Sequence, residues 1–447
     1  MKTDIEERLR ASMEPMLRLP APERRTGSRL SPASRWRLVA AASTVVAVAA
    51  AMVAIILAGQ PARSSHPATP PPISTSATPS GSPTPSPESV TGAWQITSTS
   101  TNDLWSSVAC VSTTDCWAVG DDEATGGGLI EGYSGSGWSA VSSPNPTGSS
   151  STNLNGVACT SASDCWAVGV YIQGITAPQQ TLIESDAGGD WSIVPSPKLP
   201  GTAIEGSLLG VACDSTGDCW AVGWYSDTDG EPFQPLIEHY AAGAWSAAAG
   251  SLPPGDVMGQ LYGVTCASAS DCWAVGEDWP DLQRTANGAL IDHYDGSGWS
   301  LVASPATPTG ASGDSSLGSV TCVSVSDCWA AGGQDQETLI EQYTGSVWAV
   351  VASPTTPQPF GSLDGVTCAS ASDCWAVGES WSESNYNIDS PGPGPTPKTL
   401  IESFTGSGWA IVSSGTTSSL GGLSAVTCLG SGDCWAVGGG VVEQYQR

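Results

Sequence analysis

Residues able to do chemistry form two sets in this 447-residue chain. The first set is periodic. The ten residues ASASDCWAVG occur at 267–276 and again at 369–378. Close copies stand at 111–120, 160–169, 214–223, 323–332 and 429–438. Each copy places one Asp beside a Cys and a Trp: Asp115, Asp164, Asp218, Asp271, Asp327, Asp373 and Asp433. Such a ring of carboxylates and cysteines invites a metal reading. The second set lies between the copies. It holds the aromatics Trp224, Tyr225, Phe233, Trp279, Phe360, Trp381 and Tyr386, and the acids Asp121, Asp122, Asp227, Asp229, Asp278, Asp281, Glu379 and Glu383. Aromatics beside acids suit a surface that binds glycan or protein. Two carboxylates at a set separation, Asp278 and Glu379 among the candidates, would suit glycoside hydrolysis.

Repetition reduces the first set to structure. The cysteines come in seven pairs, six residues apart: Cys110/Cys116, Cys159/Cys165, Cys213/Cys219, Cys266/Cys272, Cys322/Cys328, Cys368/Cys374 and Cys428/Cys434. None is left over, which reads as a disulfide framework made in an oxidising compartment. Structural zinc sites space cysteines more closely and recruit histidine, whereas this chain has only His66, His239 and His293. The SxSD between the cysteines suits a turn, with Ser and Asp side chains capping backbone N–H groups. One Asp per repeat stands too far from the next to share an ion. No metal or cofactor is expected.

The elements that position these residues follow from one repeat. LGSVTC (317–322), DCWAAGG (327–333), TLIEQY (338–343) and TGSVWAVVASP (344–354) are four short strand-favouring runs broken by Gly, Ser and Pro. Four antiparallel strands per repeat make a β-propeller blade. Each cysteine pair is then expected to close the turn between the first and second strands, a small loop worth roughly 2 kcal/mol of chain entropy. Seven Trp residues follow the second cysteine, and six open the fourth strand, as packing residues. The acids Glu131, Glu184, Glu238, Asp292, Glu341, Glu402 and Glu443 hold one position on the third strand, where a hydrogen bond to backbone or indole is expected. The seventh repeat has three strands, and TGAWQITSTS (91–100) supplies the missing fourth with Trp94 in the tryptophan position. The expected fold is therefore all-β, a seven-bladed propeller over 92–447 whose N-terminal strand, 92–100, completes the last blade.

Residues 38–58 form an uncharged run long enough to span a bilayer as a helix. Arg24, Arg25, Arg29, Arg35 and Arg37 precede it and only Arg63 closely follows. That bias places residues 1–37 in the cytoplasm as a short tail. Residues 59–91, rich in Pro, Ser and Thr, read as an extended stalk. The net charge is −29, and residues 1–37 hold nine of the fourteen Lys and Arg. The strongly acidic remainder excludes nucleic-acid binding, which needs cations on phosphates. A single-pass membrane protein with an extracytoplasmic, monomeric propeller is expected.

A second strand ending in Gly or Gly-Gly, then a Tyr-bearing strand (Tyr133, Tyr240, Tyr294, Tyr343, Tyr445), then a Trp, resembles the kelch repeat of the galactose-oxidase-like propellers. The resemblance covers 92–447. It departs in the paired cysteines, which suggest a secreted bacterial branch, and in two blades where Ser185 and Ser403 follow the acid without a Tyr. It implies no copper site, since the His and Tyr ligands of galactose oxidase have no counterpart. The arginine cluster of sialidases is missing, because only Arg63, Arg284 and Arg447 follow residue 58.

Turn lengths separate two faces. The turns between strands one and two and between three and four are uniform. The two-to-three and blade-to-blade connections vary, and they carry Trp224, Tyr225, Phe233, Trp279, Trp381, Tyr386, Asp278 and Glu379. The expected function is non-catalytic binding or scaffolding on the variable face, pointing away from the membrane. The alternative is an envelope enzyme acting on polysaccharide, a glycosidase or lyase, through loop carboxylates.

Overall fold

The computed structural model describes residues 92–174, 177–188, 190–214, 217–228, 231–284, 286–305, 314–382, 397–415 and 421–446. The tail, the apolar run 38–58 and the stalk lie outside them. The described chain forms seven four-stranded antiparallel sheets, each a meander in sequence order except one. Blade five is representative, with strands Ser315–Ser324, Asp327–Gln334, Glu337–Tyr343 and Trp348–Val351. In blade seven the strands Leu423–Cys428, Asp433–Gly438 and Val441–Gln446 are joined at the outer edge by Ala93–Thr99. Ala93 pairs with Gln446 and Thr99 with Val441, so the ring closes through the two ends of the propeller.

All fourteen cysteines form seven disulfides, each within its own blade and between residues facing each other across the first hairpin. The pairing across the hairpin agrees with the sequence reading, and burial adds a second role for the second cysteine. Cys116, Cys165, Cys219, Cys272, Cys328, Cys374 and Cys434 are all completely buried, whereas their partners are only half-buried. They are core residues and not merely turn closures. The cause is the pleat: the second cysteine lies inside strand two, one residue past its start in most blades, and points into the boundary with the preceding blade. Cys165 packs there beside Leu154 and Trp191, Cys272 beside Leu261 and Trp220, and Cys374 beside Leu363 and Trp329. Cys116 and Cys434 do the same against Trp435 and Trp375.

The core is a set of seven boundaries between blades. At each one, the Trp after the second cysteine meets the fourth-strand Trp of the next blade edge to face. Trp273 and Trp348 lie 5.2 Å apart at 81°. Trp117–Trp191, Trp166–Trp245, Trp220–Trp299, Trp329–Trp409 and Trp435–Trp138 repeat the arrangement. At the closing blade Trp94 takes that role against Trp375, at 5.4 Å and 81°. A third ring from the third strand, such as Tyr343 on Trp273, completes the contact. Blade six keeps a ring there through Phe404 on Trp329, while Asp186 stands at the matching register in blade two. Leucine and valine of strand one and the buried cysteine fill the rest, as Leu317, Val320 and Cys328 do against Trp273.

The recurrent Gly that ends WAVG has a steric cause. Strand one of every blade carries a β-bulge beside it, for example between Leu317 and Ser319, which pair with Gly332 and Ala331. The bulge presses the strand-one backbone onto the glycine: a Cβ on Gly332 would run into the Ser316 carbonyl oxygen. Bulges bend a strand and re-aim one side chain.

The strand-three acids are buried and hold neighbouring blades together. Ser143, Ser304, Ser353 and Ser414 follow the fourth strands of four blades by two or three residues. Each donates its hydroxyl to the acid of the next blade: Glu184 (3.2 Å), Glu341 (2.7 Å), Glu402 (3.0 Å) and Glu443 (2.5 Å). Glu131 accepts from the Trp105 indole at 3.0 Å, the indole bond anticipated from sequence. Glu238 has no hydrogen-bond partner among the described residues. Its counterpart donor, Ser196, bonds the Thr181 carbonyl instead. Burial pushes Glu238 up to about 8, Glu184 and Glu402 to about 7 and Asp292 to about 6. The repeated Asp of the turn is a correction. The Ser of SxSD caps the turn, as Ser324 Oγ accepts from the Ser326 N–H at 3.3 Å. Asp327 and Asp433 instead accept from Gln342 and Gln444, and Asp271 pairs with His293. In these three blades the Asp opens strand two and its side chain reaches across the sheet to strand three, whereas Asp164 accepts from Thr160 of strand one at 2.6 Å.

These contacts carry consequences for stability. Trp94→Ala should lower the stability of the whole ring by about 3–5 kcal/mol in one cooperative thermal transition, as other large-to-small core changes do; a melt that leaves most of the ring intact would contradict closure. For the buried acids, the folded state binds more protons than the unfolded state between about pH 4.5 and 8. Their stabilisation is complete below the unfolded value and is lost as pH rises through the folded values. Each tenfold difference in proton affinity between the two states contributes roughly 1.4 kcal/mol. The melting temperature should therefore fall from pH 5 to pH 8, and Glu238→Gln should flatten that slope.

Candidate functional site

In a meander blade the two-to-three and blade-to-blade connections share one face, opposite the disulfide turns. On that face the central channel opens. Its wall is strand one of every blade, and the residue re-aimed by each bulge stands on it: Ser106, Asn155, Leu209, Tyr262, Gly318, Asp364 and Ser424. This ring was missed from the sequence, although a signal existed. It is the most variable position of a four-residue run that ends in Val in every blade, with Leu first in six blades and Gly, Ser or Ala third, as in LYGV (261–264) and LDGV (363–366). Around the axis the lining encloses about 190 Å³.

The ring is most open at blade five. Gly318 puts no side chain into the channel, Gly332 and Gly333 lie just before the end of strand two at Gln334, and a two-residue turn, Asp335 and Gln336, follows. Both turn residues have positive φ, 50° and 68°, the geometry of the tightest hairpins. Blades four and six have longer connections, 280–287 and 382–397, so blade five is the short member between two longer ones. The resulting notch, about 370 Å³, is lined by Tyr262 of blade four, Ser316, Gly318, Gly332 and Gly333 of blade five, and Ser362, Leu363 and Asp364 of blade six.

The Tyr262 wall is braced. Tyr262 donates its hydroxyl to Glu277, and Gln260 Nε2 reaches both the Tyr262 oxygen (2.6 Å) and Glu277 (3.0 Å). Burial, then the Glu277 charge, pushes the Tyr262 phenol well above its ordinary value, so it stays protonated. On the other wall Asp364 is exposed to the lumen. Surrounding protein, then the Glu379 charge, pushes its carboxyl up to about 7. Burial also pushes Glu379 up.

The expected site residues are partly relocated. Trp224, Tyr225, Asp278, Trp279, Glu379 and Trp381 were expected in exposed loops. They lie instead on second strands that run past the glycine, over Cys219–Ser226, Asp271–Trp279 and Asp373–Trp381. There they pair with the start of strand one, as Trp279 does with Met258 and Trp381 with Phe360. Trp224 and Trp279 are buried, at 8% and 5% exposure. Trp224 packs on Phe233 at 4.4 Å, and Arg284 lies over both Phe233 and Trp279 while pairing with Glu231 at 2.6 Å. These aromatics cover the blade edges and are no open platform. Asp278 and Glu379 belong to separate neighbourhoods. Burial, then Asp256 beside it, pushes Asp278 up to about 7, whereas Glu379 lies against Asp364 and Gly422. Tyr386 lies outside the described residues.

Solved structures share this architecture. YCF48 from Cyanidioschyzon merolae aligns over 79% of this chain and 98% of its own, at a TM-score of 0.50 and 14% identity. U3-55K aligns over 79% and 98%, at 0.50 and 8%. A YCF48 bound to D1 peptide aligns over 79% and 97%, at 0.49 and 12%. Likeness at such identities concerns the fold: an all-β, seven-bladed propeller. No family model and no curated protein matches the chain.

Arg284 pins the blade-four connection next to the notch. Arg284→Ala should speed proteolytic cleavage within 280–287 several-fold while moving the melting temperature by less than about 2 °C, since exposed ion pairs contribute little to global stability. An unchanged cleavage rate would show that the connection is held by other contacts.

Proposed function

We propose that the chain is a non-catalytic binding propeller, tethered by residues 38–58 with the propeller outside the membrane, that takes a partner at the channel mouth above blade five. The observation that carries this reading is the notch. It is the place where the variable channel ring, the shortened connection of blade five and an uncompensated carboxylate meet. The kelch resemblance of the repeats agrees with a binding role. Protein is favoured over glycan as partner, because sugar stacking needs exposed rings and Trp224 and Trp279 are buried. The chain enters its first strand at Ala93, beside Gln446 and hence on the disulfide face. A tether preceding that strand supports a variable face directed away from the membrane.

The hydrolase reading keeps one foothold. Asp364 and Glu379 are neighbouring carboxyls, one held at about 7, and a raised carboxyl beside a second one is what a general acid needs. The test places a photo-crosslinking residue at Ser316 or Ser362, on the notch, and at Ser326, on the disulfide face, of the full chain on intact cells. Protein adducts from the notch positions alone are expected. Adducts from Ser326 alone would overturn the reading. Release of soluble sugar from envelope polysaccharide, lost in Asp364→Asn, would establish the enzyme instead.

A further inference from the structure

The notch has a chemistry of its own. It suits a single side chain, because Tyr262 and Asp364 stand on opposite walls with glycine, serine and the buried Leu363 between them. One wall is an aromatic ring whose hydroxyl is already engaged by Glu277 and Gln260, which leaves the ring as the surface toward the notch. The opposite wall is the Asp364 carboxylate, exposed to the lumen with Glu379 beside it. The floor is polar but uncharged: Ser316, Ser362 and the Gly332–Gly333 backbone. The cations of the described propeller are scarce. Arg284 is committed to Glu231 and the two aromatic rings, and Lys198 and Lys398 belong to blades two and six, outside the notch lining. Two adjacent carboxyls without a cation repel each other, and a bound cation would relieve that repulsion. An aromatic face opposite a carboxylate is a favourable setting for a guanidinium or ammonium group.

We infer that the channel mouth captures an arginine or lysine side chain of a partner protein, inserted between Tyr262 and Asp364 through the gap in blade five. The inference rests on the binding reading above and names the group that is bound. The rest of the propeller supports it. Beyond residue 37 the chain holds thirty-eight acidic and five basic residues, a field that draws basic segments toward it. The gap depends on Gly318, Gly333 and the two-residue turn. Blades four and six carry Glu277 and Glu379 at the strand-two position that is Gly333 in blade five.

The test titrates the full chain, in detergent, with fluorescein-labelled pentapeptides Gly-Ala-X-Ala-Gly, where X is arginine, lysine or citrulline. Binding is followed by anisotropy. Arginine and lysine peptides should bind at least ~10-fold more tightly than the citrulline peptide, which matches arginine in shape but lacks its charge. Asp364→Asn should remove that preference without changing the melting temperature. Asp121→Asn, an acid on the same face of blade one, should keep it. Affinity should rise as pH increases from 6 to 8, because the cation binds the ionised carboxylate. Equal binding of the citrulline peptide, no binding of the arginine peptide at millimolar concentration, or an unaffected Asp364→Asn would each overturn the inference. So would Asp364-dependent binding of a chitosan pentamer in place of the peptides, since that names a glycan. Failure here with notch adducts still formed by the Ser316 and Ser362 cross-linkers would leave the binding reading standing and remove only the cationic side chain.

Discussion

Everything in this ring depends on one contact used seven times: an indole edge set against an indole face at each boundary between blades. An edge-to-face aromatic pair adds about 0.5–1.5 kcal/mol beyond the area it buries. The larger consequence is geometric. The pair fixes how far apart neighbouring sheets sit, since Trp–Trp centroid distances hold between 5.1 and 5.5 Å around the ring. A boundary of constant width needs constant residues on both sides. That is why the Trp, the buried Cys before it, the Ala and Val after it, and the Leu and Val of strand one recur from blade to blade. Trp94 is the same requirement met at the seam. Without the segment that carries it, the last boundary would lose the indole set against Trp375 and would have an open strand edge.

The second constraint is the bulge in strand one. Packing sheets face to face around an axis brings seven inner strands close together. The bulge lets each bend, and the glycine facing it gives the backbone room. The residue at the bulge then leaves the packed surface for the channel. Residues that build the fold therefore flank, but do not include, the position that lines the lumen. Where the residue after the bulge is Ser, its hydroxyl serves the neighbouring blade: Ser107 and Ser319 accept from the N–H groups of Val157 and Val366. The lumen residue itself is free to be Leu, Tyr, Gly or Asp. The asymmetry of the channel mouth, and the notch at blade five, come from that freedom.

Much of this was legible from residue order alone. Pairing of cysteines within repeats, four strands per repeat and the packing role of both tryptophans follow from period and spacing. Expectation and structure differ where a property belongs to paired strands rather than to one. A bulge is a matter of register, so Tyr262 and Asp364 look like ordinary strand residues until LYGV and LDGV are set side by side. The reach of strand two past its glycine is also set by pairing with the start of strand one. Hence Trp224 and Trp279 read as loop aromatics but are buried strand residues. The second cysteines close the turn as read, and the pleat, which spacing does not show, also turns them into the boundary between blades. The Asp of DCW read as a turn cap because it adjoins a turn. In blades five and seven its side chain instead follows the pleat toward strand three, where Gln342 and Gln444 meet it. Phe404 shows the opposite error, a ring contact kept by a residue the Tyr pattern does not count.

The central claim is that the channel-lining residue of each blade is separable from the residues that build the blade. Thermal melts of one matched series test it most directly. In blade six, Asp364 is replaced in turn by the residues its sister blades carry (Ser, Asn, Leu, Tyr and Gly), and Gly378 and Leu363, which flank the bulge, by Ala and Asn. Melting temperatures within about 3 °C of the parent are expected for every Asp364 variant. A fall several times larger is expected for Gly378→Ala and Leu363→Asn, where a backbone clash and a buried amide are introduced. Asp364 variants as costly as the flanking ones would contradict the claim, and would mean that the lumen ring is part of the core.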